Sequence, residues 1–182
     1  MKQILDLGCG NNKLEGREKF LNYNFKGEII GLDSYKTKDA NIICDLDKEK
    51  IPFVDENFDI VYSHHCLEHL HNVFDVVIEA HRVLKKGGFF LVCTPHISYI
   101  DSLGSLAHVR LFSYSTLDFI IYGHELLVTE RRFELIKRRI IFGRFYRIVG
   151  IEFLANKFPN IYNGFFMGVF TAREMLWELR KI

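Results

Sequence analysis

The sequence predicts an α/β fold: a mostly parallel sheet with helices packed on its faces. Three observations predict it. Short apolar runs recur from residue 4 through residue 93, most of them closed by a glycine or aspartate turn signal. A helical pattern lies between the last two runs. The runs are apolar enough to be buried on both sides, as strands of a parallel sheet are.

The elements follow in order. Residues 4–7 read as a strand ended by Gly8, and residues 28–32 as a second ended at Asp33. Residues 41–44 form a third, ended at Asp45; residues 58–62 and 89–93 form the fourth and fifth. Val73, Val76, Val77, Ala80, Val83 and Leu84 recur at helical spacing, so a helix is expected over roughly 73–84. Lys85 and Lys86 suit its negative end, and Gly87-Gly88 should stop it. The second half is less regular. Residues 94–130 read as loop-rich with a helical piece near 115–122. Residues 133–142 read as a strand with charged interruptions, residues 152–158 as a helix ended by Pro159-Asn160, and residues 174–181 as a final strand.

The 182 residues suit one domain, 1–182, with a site-building half over 1–95 and a more irregular half over 96–182. Hydrophobic residues at 48% exclude disorder, and a net charge of +1 argues against a generic nucleic-acid binder. Charge is divided unevenly: residues 1–101 carry 12 basic against 16 acidic side chains, residues 102–182 carry 12 against 7. Cys9, Cys44, Cys66 and Cys93 form no C-x-x-C pair, which fits reduced thiols and a cytoplasmic location. No signal peptide is evident, and no apolar run approaches the roughly 18 residues of a membrane span; the run at 165–170 is far too short.

Chemistry concentrates where strands end. Gly8-Cys9-Gly10 follows the first strand directly, and glycine lets backbone approach a ligand closely. Lys13 stands where a dinucleotide fingerprint needs its third glycine. Asp6 sits in an apolar strand, and a buried acid needs a partner such as a bound cation. Asp33 lies 25 residues after Gly8, near the offset of about 20 expected of a ribose-binding acid. Asp45, followed by Leu46, can meet an adenine amino group and ring. Each aspartate alone also suits a cap or turn; three at the ends of successive strands point to a ligand.

Taken together, these pieces resemble the class I S-adenosylmethionine-dependent methyltransferases. The matching segments are LDLGCG (5–10), GLD (31–33), CDLD (44–47), IPFVDENFDIVYSHHCLEHL (51–70), EAHRVLKKGGFFLVCTPH (79–96) and HVRLFSYSTL (108–117). They occur in family order over about residues 3–122. The resemblance implies a Rossmann-like three-layer sandwich with a seven-stranded, mostly parallel sheet whose last strand is antiparallel. It implies S-adenosylmethionine as cofactor and S-adenosylhomocysteine as product. Asp6, Gly8, Cys9 and Gly10 would border the methionine part, Asp33 and Ser34 the ribose, and Asp45 and Leu46 the adenine. Ser63, His64 and His65 would lie near the reacting methyl, and residues 79–88 would be structural.

His65 is either a general base, since an imidazole titrates near neutral pH, or a residue packed beside the cofactor. His65 and His69 are four apart, but a zinc site wants three or four convergent ligands and the sequence shows no second cluster, so no metal is expected. His96, His108 and Arg110 are candidates for substrate contact or for anchoring loops. The basic stretch Arg131, Arg132, Lys137, Arg138, Arg139, Arg144, Arg147 reads as a strand with a solvated face, with RNA, phosphate or membrane contact as the alternative.

Two features depart from the family. The first strand begins almost at Met1, so a lid must come from 96–130, come from another subunit, or be missing. The stretch 11–27 is a poor amphipathic helix, which would leave the cofactor partly exposed and its affinity modest. The expected function is methyl transfer to a small or medium-sized metabolite by in-line displacement. A homo-oligomer is possible, and neither nucleic acid nor an integral membrane segment is expected. A non-catalytic cofactor-binding module of the same fold is the alternative, with a nicotinamide-dependent oxidoreductase behind it.

Overall fold

A computed structural model describes residues 1–20, 22–123 and 130–182. Its sheet contains β1 (Lys2–Leu7), β2 (Gly27–Asp33), β3 (Ile42–Ile43), β4 (Phe58–His64), β5 (Leu84–Pro95), β6 (Phe133–Ile141) and β7 (Glu174–Lys181), in the order β3-β2-β1-β4-β5-β7-β6. The first five strands are parallel, and β7 runs antiparallel between β5 and β6. The order reverses at β1, between β2 and β4, which is the switch point where open α/β sheets hold ligands.

Alternation along each strand divides the core. Leu5, Leu7, Val61, Phe90, Val92, Trp177 and Leu179 build one face, which α1 (Val73–Val83) covers with Val76, Val77, Ala80 and Val83. Ile4, Ile60, Tyr62, Leu91, Cys93 and Leu176 build the other. That second face has little helix over it. As the composition of 11–27 predicts, the β1–β2 crossover is irregular, with one 3-10 turn at Arg17–Lys19. It covers the sheet with single side chains instead: Leu14 and Phe20 are buried, and Phe20 and Phe25 meet the Tyr62 ring edge-on, each at 5.7 Å.

Helix α1 ends at Val83, where Leu84 turns to extended backbone and enters β5. The Lys85–Gly88 stretch expected to cap and stop it is therefore part of the strand. Arg82 explains the tight join: it reaches Glu79, Asp55 and the carbonyls of Ile51 and Phe53, fastening the loop before β4 to the helix. This supports the structural role expected for 79–88.

The second half adds α2 (Ile100–Gly104), α3 (Asp118–Tyr122), α4 (Arg144–Ile148) and α5 (Ile151–Lys157). Residues 124–129 of the expected loop lie outside the described residues. Pro159 does not end the helical region; it opens a further short turn, Pro159–Ile161. The solvated basic face expected here holds for Arg131, Lys137, Arg144 and Arg147, which are exposed, but not for Arg138 and Arg139. Arg138 is buried, bonded to the Tyr114 carbonyl and Asp118, with its guanidinium 4.3 Å from the Tyr114 ring centre. Arg139 bonds the Lys19 carbonyl and lies 3.7 Å from Glu178. A register shift between Leu135 and Lys137 leaves Ile136 bulged outward and exposed.

If side chains rather than a helix seal the second face, Phe20→Ala should cost about 3–5 kcal/mol in urea unfolding. A loss under about 1 kcal/mol would mean that the crossover does not cover the core.

Candidate functional site

The site begins at the exit of β1. The Gly8 and Cys9 amides both donate to the Leu32 carbonyl, at 2.8 and 3.1 Å. Gly8 has φ +66°, and a Cβ there would lie 2.6 Å from Cys66 Sγ. Gly10 is also left-handed, φ +53°, but a Cβ there would point into open space. The Gly10 amide donates to Asp33 Oδ2 at 2.9 Å, and Tyr35 N–H donates to Oδ1 at 3.2 Å. Asp33 thus holds the glycine turn while keeping lone pairs for a ligand.

Two cavities open on either side of this turn and share Gly8 and His65. The first, about 530 Å³, is lined by Asp33, Ser34, Asp45, Leu46, Cys66 and His69, among others. The second, about 480 Å³, is lined by Asp6, Cys9, Gly10, Lys19, His64 and Glu174, among others. Asp45 is tied locally, its carboxylate 2.7 Å from Lys48 Nζ. Asp47 anchors the same loop to the start of α1 through the amides of His71 and Asn72.

Asp6 is buried and accepts one hydrogen bond, from Leu14 N–H at 2.6 Å. Burial pushes its pKa up to about 7, against the pull of that bond and of Lys13. The same cavity contains a charged network. Lys19 Nζ donates to Glu174 Oε1 at 2.7 Å and meets His64 Nε2 at 3.2 Å. Burial, with Lys19 and His65 nearby, drops the His64 pKa to about 3, so His64 is neutral and accepts from Lys19. His65 Nε2 lies 3.2 Å from the same Glu174 oxygen, and its Nδ1 lies 3.5 Å from Glu68. Burial would raise the Glu174 carboxyl, but bonds from His65 and Lys19 hold it near 2. His65 is left-handed, φ +53°, with its amide bonded to Cys93 O at 2.9 Å. The backbone is strained where imidazole meets cavity.

Beyond His65 the segment 105–111 folds over Glu68. The Val109 and Arg110 amides donate to the Glu68 carbonyl at 2.9 and 3.1 Å, His69 Nδ1 meets Ala107 O at 2.8 Å, and Arg110 bonds the His71 carbonyl. Ala107 therefore reaches the rim of the first cavity. Part of the cover comes from within 96–130, one of the sources the sequence left open.

Residues 5–92 match a family model described as a methyltransferase domain. These residues form a methyltransferase domain similar to that of S-adenosylmethionine-dependent methyltransferases. Among curated relatives, a protein of Mycolicibacterium smegmatis described as a probable S-adenosylmethionine-dependent methyltransferase is 30% identical over 103 residues, covering 52% of this chain and 38% of the relative. The sterol 4-C-methyltransferase of Caenorhabditis elegans is 36% identical over 77 residues, covering 42% of this chain and 20% of the relative. The chain thus spans well under half the length of either. An S-adenosylmethionine-dependent methyltransferase structure from Archaeoglobus fulgidus superposes with a TM-score of 0.64 at 18% identity, covering all of this chain and 86% of its own.

The structure brings Asp33, Ser34, Asp45, Leu46 and His65 around one cavity and Asp6, Gly8, Cys9, Gly10, His64 and His65 around the other. Ser63 is fully buried in β4 behind them. The three residues expected at the substrate are not gathered there. His96 is 0% exposed and turned to Ser98, with burial lowering its pKa to about 4. Arg110 is engaged with a backbone carbonyl, and His108 Nδ1 meets the Ser102 carbonyl at 3.1 Å, so both anchor the loop. Sequence reasoning missed Lys19 and Glu174, which lie 155 positions apart and meet only through the fold. It also missed Glu68, whose burial at 1% exposure is the unexpected feature of the L-E-H-L segment.

Asp6 gives the site a pH dependence. Its ionised form attracts a cationic ligand and predominates only above pH 7. Affinity for S-adenosylmethionine should therefore rise between pH 6 and 8, by roughly tenfold, and Asp6→Asn should flatten the rise. Calorimetry at three pH values checks it; an unchanged slope in the variant would remove Asp6 from the binding site.

Proposed function

We propose that the chain transfers the methyl group of S-adenosylmethionine to a small or medium-sized metabolite by in-line displacement. The observation that carries this reading is the pair of cavities meeting at Gly8 and His65. The residues present fit an elongated nucleoside–amino-acid cofactor: Gly10 leaves open space, and Asp6 is a buried acid short of partners.

In this reading the free lone pairs of Asp33 accept the ribose hydroxyls, while Asp45 and Leu46 meet the adenine. Asp6 and Lys19 complement the ammonium and carboxylate of the methionine part. The sulfonium then sits near the junction of the cavities, beside His65. Bound there, the cofactor supplies a methyl group already activated for transfer, so the protein's part is to position and desolvate. His65 donates from Nε2 to the ionised Glu174, which leaves Nδ1 to take a proton from the acceptor and lets Glu174 stabilise the resulting imidazolium. That role is needed only for acceptors whose proton is held tightly.

The test is transfer of labelled methyl from S-adenosylmethionine into the small-molecule fraction of a cell extract. Asp33→Ala should weaken cofactor binding at least tenfold, and His65→Gln should lower kcat by about 10²–10⁴ while leaving S-adenosylhomocysteine binding intact. Label appearing only in macromolecules would overturn the acceptor class. Tight S-adenosylhomocysteine binding with no transfer to any fraction would make the chain a binding module instead.

A further inference from the structure

We propose that Glu68, His69 and His108 form a binding site for a divalent transition-metal ion of the zinc class, opening onto the first cavity. A potential donor atom from each lies within 4.8 Å of the others. Glu68 is 1% exposed, and neither carboxylate oxygen has a hydrogen-bond partner among the described residues. Its nearest charge partner is His65 Nδ1 at 3.5 Å; a buried carboxylate without a hydrogen bond is costly, and a cation is a ligand that satisfies it. The imidazoles are set up to match. His69 Nδ1 is 2.8 Å from the Ala107 carbonyl and His108 Nδ1 is 3.1 Å from the Ser102 carbonyl. A carbonyl only accepts, so each Nδ1 carries the proton and each Nε2 presents a lone pair. Orientation of a ligating imidazole by a backbone carbonyl at its other nitrogen is the usual support of a metal site.

Two histidines and one glutamate form a three-ligand set that leaves zinc a position for water or an acceptor oxygen. The rings already meet, with centres 5.0 Å apart. Donors around a tetrahedral zinc are roughly 3.4 Å apart, so small side-chain rotations close the set. His69 lines the first cavity, so the site adjoins it. The sequence expectation of no metal rested on the lack of a second cluster; the fold supplies the third ligand from residue 108. Metal binding is read without cofactor, so failure of this site and failure of the methyl-transfer reading are distinguishable.

The experiment is titration of chelator-treated protein with Co²⁺ alone, read by its visible absorption, followed by displacement with Zn²⁺. One equivalent should bind, giving a low-symmetry cobalt spectrum without a sulfur charge-transfer band. His108→Ala and Glu68→Gln should each weaken binding at least tenfold. His108 is only half-buried, so His108→Ala keeps the test sound if Glu68→Gln misfolds. His64→Gln should leave cobalt binding unchanged, because His64 belongs to the neighbouring group with His65, Cys93 and Glu174. Absence of cobalt and zinc binding, or binding that survives His108→Ala and is lost in His64→Gln, overturns the proposal.

A separate surface carries a second inference: residues 144–170 dock on an anionic lipid surface. Phe145, Ile148, Phe153, Phe158, Phe165 and Val169 are between 47% and 80% exposed, a concentration far beyond scattered surface apolars. The charges among them favour one occupant. Arg144, Arg147 and Lys157 are exposed, while the acid in the stretch, Glu152, is turned inward to the Phe142 amide at 2.9 Å. Lys157 lies over the Phe153 and Phe158 rings, at 5.7 and 5.5 Å, as interfacial lysines lie along apolar surface. No described helix is long and apolar enough to cross a membrane, so the contact would be peripheral.

Co-sedimentation with phosphatidylcholine vesicles, with and without phosphatidylglycerol, tests it. Binding should need the anionic lipid, weaken with salt, and fall at least tenfold in Phe145→Ser with Phe165→Ser. Absence of binding to either vesicle overturns it, as does self-association abolished by the same substitutions in place of lipid binding.

Discussion

The double hydrogen bond from Gly8 and Cys9 to the Leu32 carbonyl is the contact on which the site depends. It ties the end of β1 to the end of β2 at the point where strand order reverses. Asp33 adds a second tie one residue further along each chain, through the Gly10 amide. Together they force the backbone through two left-handed glycines, and the turn lies flat against the sheet edge. Cavities then form on both sides of it, because the chain that would otherwise fill the edge is pinned down. Cys66 fills the space a side chain at residue 8 would need, so β4's exit packs against β1's and brings His65 to the junction.

The strands and the first half of the site were legible because they rest on local signals. An apolar run followed by Gly8, Asp33 or Asp45 states both where a strand ends and what faces the ligand. The helix over 73–83 was legible from its spacing, while its end was not, since Arg82 and the extended Leu84 decide it through tertiary contacts. Irregularity in 11–27 was legible from composition, but its packing was not: Phe20 and Phe25 find the Tyr62 ring only once the crossover has closed. Arg138 and Arg139 looked like a solvated face because periodicity does not reveal that Tyr114, Asp118 and Glu178 wait on neighbouring elements. His96 follows a strand at the correct edge, but its backbone bridges to Phe112 and its amide bonds the Arg173 carbonyl, which turns the residue inward.

Two buried acids and a half-buried one lie along this edge, and the protein manages each differently. Glu174 has two cationic or imidazole partners and stays ionised. Asp6 has a single backbone donor and is poised near neutrality. Glu68 makes no side-chain hydrogen bond among the described residues, has only His65 Nδ1 at 3.5 Å, and burial raises its pKa. Unpartnered buried charge opposes folding, so the order Glu174, Asp6, Glu68 is also an order of increasing demand for an external cation. The demand is highest where the imidazoles of His69 and His108 converge and intermediate where a sulfonium or ammonium would lie.

That ordering bears on how the site closes. Among the described residues, the segment 105–111 makes four hydrogen bonds to residues 68–71, two to the Glu68 carbonyl, one to the His69 ring and one to the His71 carbonyl, and His108 adds a tie to the Ser102 carbonyl. Nothing in that set reaches β1 or β2. The cover is therefore fastened to the L-E-H-L segment, through the Glu68 backbone and the His69 ring. A ligand drawing His108 toward Glu68 would pull Ala107 further over the adenosine side. The cover and the histidines are joined from both sides, because the Ala107 carbonyl of the cover orients His69 while the Ser102 carbonyl of α2 orients His108 within the cover.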